Sequence, residues 1–220
     1  MTAPERRERE RQALRAKILQ AARDLFLAHG IEAVTMRKIA DAVEYTPPVL
    51  YAHFADKSAL LTALCEEDLT LFHAALQRAA RRADPVERIR RMGKHYVDFA
   101  LEHPHHYRLL FMTPFPEEQI AAKAAQVEEG TTQGQSSYAL LRDAVAECIA
   151  TGRFEKHHKD AERVAQVLWG AVHGVVSLWI LHARNPEIEW RAPRATAFEL
   201  VDAALDGLCI GAAATSRTSS

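Results

Sequence analysis

The stretch "TMRKIADAVEYTPPVLYAHFADKSALL", Thr35 to Leu61, decides how the chain is read. Two consecutive prolines, Pro47 and Pro48, stand directly before "VLYAHF", and a lysine, Lys57, follows. Inside a helix a proline removes a hydrogen bond and crowds the preceding turn, but at the first helical positions no acceptor exists for the missing N–H. The residue before a proline is pushed into extended geometry, which is the geometry of an N-cap. Thr46 therefore reads as the cap and the prolines as the start of a helix reaching about His53. A helix this short is marginal alone and must be held by packing.

Working outward, Thr35 can cap another short helix, Met36 to Val43, with Ile39, Ala40 and Val43 on its inner face. Before it, Leu14, Ile18, Ala21, Ala22, Leu25 and Phe26 recur at helical spacing between Arg11 and His29, and Gly30 stands where a left-handed cap is wanted. Asp56 can cap a long helix from Lys57 to about Arg82. Leu50, Phe54, Ile39 and Tyr45 are assigned to the core. Two short helices joined by a tight turn between longer ones form a helix-turn-helix, whose second short helix offers its N-terminal end to a DNA major groove. The prolines would give that end a rigid start with apolar edges for thymine methyl groups. Thr46, Tyr51, His53 and Lys57 would supply polar or positive groups for phosphates.

Downstream, helical spacing and stop signals predict helices over Val86 to Glu102, a short apolar "YRLLFM", "EEQIAAKAAQVEE", "YALLRDAVAECIATG", Asp160 to Arg184 and Arg194 to Ile210. "HPHH", "GTTQGQSS" and "NPEIEWRAP" read as loops. No segment alternates like a strand. The expected fold is all-α: an N-terminal three-helix DNA-binding unit followed by a C-terminal helical ligand-binding and dimerisation bundle. Its expected parts are a flexible charged arm over 1–10, a DNA-binding domain over 11–57, a regulatory and dimerisation domain over 58–210, and a disordered tail over 211–220.

The totals narrow the classes. With 220 residues, 48% of them hydrophobic and 26% charged, the chain holds a proper core. Its net charge of −1 means that affinity for nucleic acid must come from a local basic face. Cys65, Cys148 and Cys209 show no metal or disulfide spacing, and the N-terminus lacks an apolar signal core, so a cytoplasmic protein is expected. The apolar run Val167 to Ala183 approaches the ~20 residues of a membrane span, but it carries His173, Ser177 and His182. A helix buried in a core or subunit interface is expected there, and no membrane.

The stretch "AARDLFLAHGIEAVTMRKIADAVEYTPPVLYAHFADKSALL", Ala21 to Leu61, resembles the TetR family of one-component transcriptional regulators. The matching features are "LF..HG" at the end of the first helix, "T.RKIA" in the second and "LY.HF..K.ALL" across the third and fourth. "WGAVHG", Trp169 to Gly174, looks like the Trp-His-Gly signature of one class of C-terminal domains in that family. The resemblance implies that Thr35 and Lys38 lie near phosphate and that Arg37 reaches a base. It implies that Pro48 and Val49 face the groove, that Tyr51 and His53 meet the backbone, and that Lys57 meets phosphate. Arg6, Arg7, Arg9 and Arg11 would add contacts. Pro47 replaces a polar residue able to read a base, and Glu44 stands where the family often has glycine, at a cost of roughly 1 kcal/mol in left-handed geometry.

The resemblance further implies an operator-bound repressor released by a small, largely hydrophobic inducer. Candidate lining residues are Met92, Tyr96, Phe99, Leu110, Phe111, Phe115, Tyr138, Leu141, Trp169 and His173. A homodimer through the last two helices would bury Val172, Val176, Trp179, Ile180, Phe198, Val201 and Leu205. The histidine clusters "HPHHY" (His103, His105, His106) and "EKHHKD" (His157, His158) invite a metal, but adjacent histidines do not easily converge on one ion. No metal or cofactor is expected. The competing classes are a metal-assisted enzyme built on His173, His157 or His158, for which no nucleophile-base set exists, and a helical-bundle binding protein without sequence-specific DNA binding.

Overall fold

The computed structural model describes residues 2–79, 81–117, 120–121 and 136–210. Most of the helix expected over "EEQIAAKAAQVEE", most of the loop "GTTQGQSS" and the tail 211–220 lie outside the described residues. The helices are α1 (Ala3–His29), α2 (Met36–Val43), α3 (Pro47–Tyr51), α4 (Lys57–Ala79), α5 (Pro85–Glu102), α6 (Pro104–Met112), α7 (Ser137–Ala150), α8 (Ala161–His182) and α9 (Pro193–Asp206). Among the described residues the extended pairing is one isolated antiparallel bridge, Phe154 with Cys209.

Local rules account for most boundaries. Side chains of Thr35, Asp56, Asp84, Ser136 and Asp160 accept N–H bonds at the starts of α2, α4, α5, α7 and α8. Gly30 and Gly152, at φ 79° and 68°, reverse the chain after α1 and α7 in a region that side chains rarely enter. The first helix starts earlier than expected. Thr2 and Glu5 form a reciprocal capping box, so the charged segment 3–10 continues α1 instead of forming a separate arm.

Glu44 sits at φ 63°, ψ 37°, ending α2 with the left-handed residue that its sequence made costly. Its N–H and that of Tyr45 close the end onto Asp41 and Ala40 carbonyls. Glu44→Gly should relieve the clash of a β-carbon with the backbone and raise stability by about 0.5–1 kcal/mol, read from the urea midpoint. An unchanged or lower midpoint would show that the turn stores no such strain.

The chain divides into two compact units, the first formed by residues up to Thr70 together with those following Pro104, the second by Leu71–Pro104 and the C-terminal residues. This differs from a single boundary at residue 57, because α6 belongs with the first unit. In that unit, Ile18, Leu19, Ala22 and Phe26 of α1 pack with Ile39, Ala40 and Val43 of α2, Leu50 of α3, Leu60, Leu61 and Leu64 of α4, and Leu109 of α6. Inside it lies an ion pair: Arg23, 4% exposed, donates to the carboxylate of Asp68, 1% exposed, through Nη2 at 2.5 Å and Nε at 3.4 Å. His106 adds its Nδ1 at 2.7 Å from the same carboxylate, and His105 lies 3.5 Å from Asp24. Both histidines sit on α6, not on the solvated loop expected for "HPHH".

In the second unit α5 packs on α7, α8 and α9, and α8 packs on α7 and α9. Gly93 of α5 lets α9 approach closely, since a β-carbon there would lie 3.0 Å from both Val201 methyls. Arg90 and Lys94 of α5 pair with Asp202 of α9. Val172, Val176, Ile180, Val201 and Leu205 are buried within this one chain, while Trp179 and Phe198 are half-buried. The first five therefore cannot form the subunit contact expected of them. The opposite side of α8 is apolar too: Val167, Leu178 and Leu181 are 60%, 54% and 60% exposed. Between them lie Gly170 and Gly174, whose added β-carbons would touch nothing within 4 Å. By length and composition α8 would be able to cross a membrane.

Candidate functional site

Within the first unit the predicted DNA-contacting residues gather at the starts of three helices. The Thr35 hydroxyl accepts the Lys38 N–H at 3.2 Å, leaving Arg37 and Lys38 exposed on the first turn of α2. Two ammonium groups reach the loop that enters α2: Lys38 donates to the Ala33 carbonyl at 2.8 Å and Lys57 to the Ile31 carbonyl at 3.1 Å. An ammonium carries three N–H donors, so each retains donors for an anion.

The helix α3 ends at Tyr51, shorter than expected, and His53 lies beyond it. Thr46 has the extended geometry of a cap, φ −84° and ψ 149°, but its hydroxyl makes no capping bond. The reason is local. Pro48 has no N–H to offer, and the Val49 N–H goes to the Thr46 carbonyl at 3.0 Å. Leu50 is fully buried and anchors the helix, so Pro48 and Tyr51 project outward, Tyr51 at 52% exposure, with Pro47 and Val49 half-buried.

His53 is half-buried and donates its backbone N–H to Leu50 O at 2.9 Å. Partial burial first, then the Arg11 and Arg15 guanidiniums, hold its imidazole below the ordinary histidine value. Tyr45 corrects the sequence expectation. It is 44% exposed, with the Lys17 ammonium 5.7 Å from its ring centre and bonded to the Val43 carbonyl at 2.9 Å. Apolar character favoured the core, but the left-handed Glu44 turns the next side chain outward.

In the second unit, Tyr96, Trp169 and His173 converge. Trp169 Nε1 donates to the Tyr96 hydroxyl at 3.2 Å, that hydroxyl lies 3.0 Å from His173 Nδ1, and His173 Nε2 lies 3.1 Å from Ser177 Oγ. Burial lowers the His173 pKa, which suits a neutral ring accepting from Tyr96 and donating to Ser177. Tyr138 sets its ring edge-on to Trp169, and Phe72 packs on Tyr96 and Phe99. Met92 is buried and Leu141 half-buried in the same unit. Leu110, Phe111 and Phe115 belong instead to the first unit, where Phe115 packs on the core and Phe111 on Tyr107. The expected lining set is thus divided. A cavity of about 200 Å³ in the second unit, bordered by Leu101, Trp179, Trp190 and Pro193, includes none of the ten.

Among the described residues no group of three ligand side chains converges on a metal position. His103 stacks near Phe99, His105 and His106 face different carboxylates, and the His157 and His158 rings face each other at 3.9 Å.

The family model for bacterial regulatory proteins of the tetR family matches residues 18–64, and that for the tetracyclin repressor-like C-terminal domain matches residues 89–208. The chain belongs to the TetR family. The transcriptional activator FasR of Mycolicibacterium smegmatis is 31% identical over 120 residues, 54% of this chain and 55% of FasR, so the chain spans about half of that relative. The transcriptional regulator TtgR of Pseudomonas putida is 27% identical over 194 residues, 80% of this chain and 84% of TtgR. A solved tetR-family regulatory protein from Rhodococcus RHA1 is 25% identical with a TM-score of 0.63, covering 89% of this chain and 97% of that one. The N-terminal TetR match spans α2, α3 and the first turns of α4, where the helix starts described above lie. Lys17 falls on no motif position, and its role is recognisable only once the turn that accepts its ammonium at the Val43 carbonyl is in place.

Proposed function

We propose that this TetR-family chain is a transcriptional repressor that binds a pseudo-palindromic operator as a homodimer and is released by a small, largely hydrophobic ligand. The observation that carries the reading is α3: a proline-started helix pinned by Leu50, with Pro48 and Tyr51 exposed and Val49 half-buried beside them. Such a helix can enter a major groove without rearranging. Arg37 is the residue for base readout, because guanine O6/N7 accepts a guanidinium bidentately. Thr35, Lys38, Thr46, Tyr51, His53 and Lys57 serve phosphates, the Thr46 hydroxyl being left over from capping. Pro47 and Pro48 offer only apolar contact, so DNA shape contributes to operator choice.

The homodimer forms through α8 and α9, with the exposed row Val167, Gly170, Gly174, Leu178 and Leu181 as its centre. Two recognition helices then face successive major grooves. The Tyr96–Trp169–His173 cluster supports a Trp-His-Gly class C-terminal domain and an apolar inducer site with few polar tips, shared by Met92, Phe99, Tyr138 and Leu141. A ligand preferring the misaligned dimer releases DNA by that preference alone. The name of FasR makes activation the second reading, and a promoter-reporter assay with and without the gene decides the sign.

The deciding experiment is selection of tight-binding duplexes from a randomised pool by the purified protein, then sequencing. An enriched inverted repeat is expected; folded, dimeric protein that enriches nothing would overturn DNA-binding function. On the selected duplex, Arg37→Ala should cost about 1–3 kcal/mol and relax one base preference, whereas Lys57→Ala should weaken all duplexes alike and reduce the salt slope by about one. Equal, sequence-independent losses would overturn that division of roles.

A further inference from the structure

Of the three tryptophans, Trp169 belongs to the cluster with Tyr96 and His173. Trp179 and Trp190 instead wall the cavity of about 200 Å³ between the second half of α8, the start of α9 and the segment that joins them. Trp179 lies about 15 Å further along the axis of α8 than Trp169. Val176 and Ala197, each 2% exposed, form the cavity floor, and the exposed Glu189, Arg191 and Thr196 surround its mouth.

The wall supplied by the joining segment is fixed. The Asn185 N–H bonds the His182 carbonyl at 2.8 Å, and the Asn185 side chain accepts the Glu187 N–H at 3.0 Å. Trp190 is held by both of its nitrogens, the backbone N–H on the Ile188 carbonyl at 3.0 Å and the indole Nε1 on the His182 carbonyl at 2.8 Å. Its ring is therefore in place before anything enters, which lowers the ordering cost of binding.

Charge at the mouth is balanced. Arg191 donates to Glu189 at 2.6 Å, and Arg194 donates to Glu102 at 2.9 Å and pairs with Asp98 at 3.0 Å. Each of these guanidiniums already has a carboxylate, so an acidic ligand gains little there. Two polar tips remain: the Trp179 indole N–H and the Thr196 hydroxyl make no hydrogen bond to the protein among the described residues, and both can donate. As to size, about 150 Å³ of apolar cavity holds a benzene ring, whereas drug-sized ligands occupy about 300 Å³ or more.

We infer that this cavity is a second ligand site, separate from the Tyr96, Trp169 and His173 cluster, for a neutral aromatic molecule of one ring or two fused rings that carries a hydrogen-bond acceptor. The indoles of Trp179 and Trp190 give the ring apolar surface, and the Trp179 N–H or the Thr196 hydroxyl donates to the acceptor. Binding there requires neither DNA nor the inducer cluster.

The test follows the three indole N–H signals of the full-length, isotopically nitrogen-labelled protein by NMR, assigned through Trp169→Phe, Trp179→Phe and Trp190→Phe. The probes are acetophenone, a neutral ring with one acceptor, and benzoate, the same ring with a charge. Acetophenone should shift the Trp179 and Trp190 signals, saturating at millimolar concentration or below, and leave the Trp169 signal in place. Benzoate should bind at least about tenfold more weakly, because a charge that leaves water without a partner is costly. Ala197→Leu fills the floor and should weaken acetophenone at least about tenfold, with the helix content by circular dichroism unchanged. Thr196→Phe, at an exposed position where folding is not at stake, should obstruct the mouth with the same result. Trp179 and Trp190 signals that acetophenone does not move would overturn the inference, and if dilution to monomer moves them instead, the space belongs to a second copy of the chain. Movement of the Trp169 signal equal to theirs, equal affinity for benzoate, or binding unchanged in both variants would overturn it too.

Discussion

Replacing Asp68 by alanine should lower the unfolding free energy by about 3–5 kcal/mol, the largest effect expected of any single substitution in the first unit. Asp68 is 1% exposed and accepts from Arg23, itself 4% exposed, and from His106. Without the carboxylate, the Arg23 guanidinium stays in the core with Gln20 Oε1, at 2.7 Å, as its remaining hydrogen-bond partner among the described residues. An uncompensated buried charge is costlier than the pair is favourable. Asp68→Leu combined with Arg23→Met should therefore recover most of the loss, although each single change is severe. Urea unfolding at fixed protein concentration measures all three variants. A loss below about 1 kcal/mol for Asp68→Ala would mean that water reaches Arg23 and that the pair behaves like a surface ion pair.

Leu178→Asp combined with Leu181→Asp should turn the dimer into a monomer and weaken operator binding by about 10²- to 10⁴-fold, because the second half-site then no longer binds at high effective concentration. Both leucines are more than half exposed on the side of α8 away from the chain's own core. The substitutions should leave the monomer's fold intact, which separates a lost interface from a lost structure. Sedimentation velocity reports the assembly and circular dichroism the helix content. A dimer that survives both aspartates would move the interface to another surface. Val172→Ala, by contrast, removes core volume and should cost stability while sparing assembly.

The difference between those two predictions was hidden in the sequence. The α8 segment is apolar on nearly every side, so its periodicity announces a buried helix without saying which side meets the chain's own bundle and which is left exposed. Only the packing of α5, α7 and α9 against Val172, Val176 and Ile180 assigns them inward and leaves Val167, Leu178 and Leu181 outward. Tyr45 went astray for a related reason: its direction depends on the left-handed Glu44 before it, not on its own hydrophobicity.

The features legible in the sequence lie within a turn or two of the residues that cause them. Thr35, Asp56 and Asp160 start helices because a side-chain oxygen meets an N–H that has no other partner, and Pro47 and Pro48 start α3 because nothing is lost there. The buried faces of α1 and α2 followed from spacing alone, and with them the helix-turn-helix. Tertiary structure alone decided that Arg23 finds Asp68 across 45 positions, that α6 joins the first unit, and that Tyr96 meets Trp169 and His173. These pairings join residues far apart in the chain, and no local preference encodes them: they exist because burying a charge or a polar ring without a partner costs more than the competing arrangements.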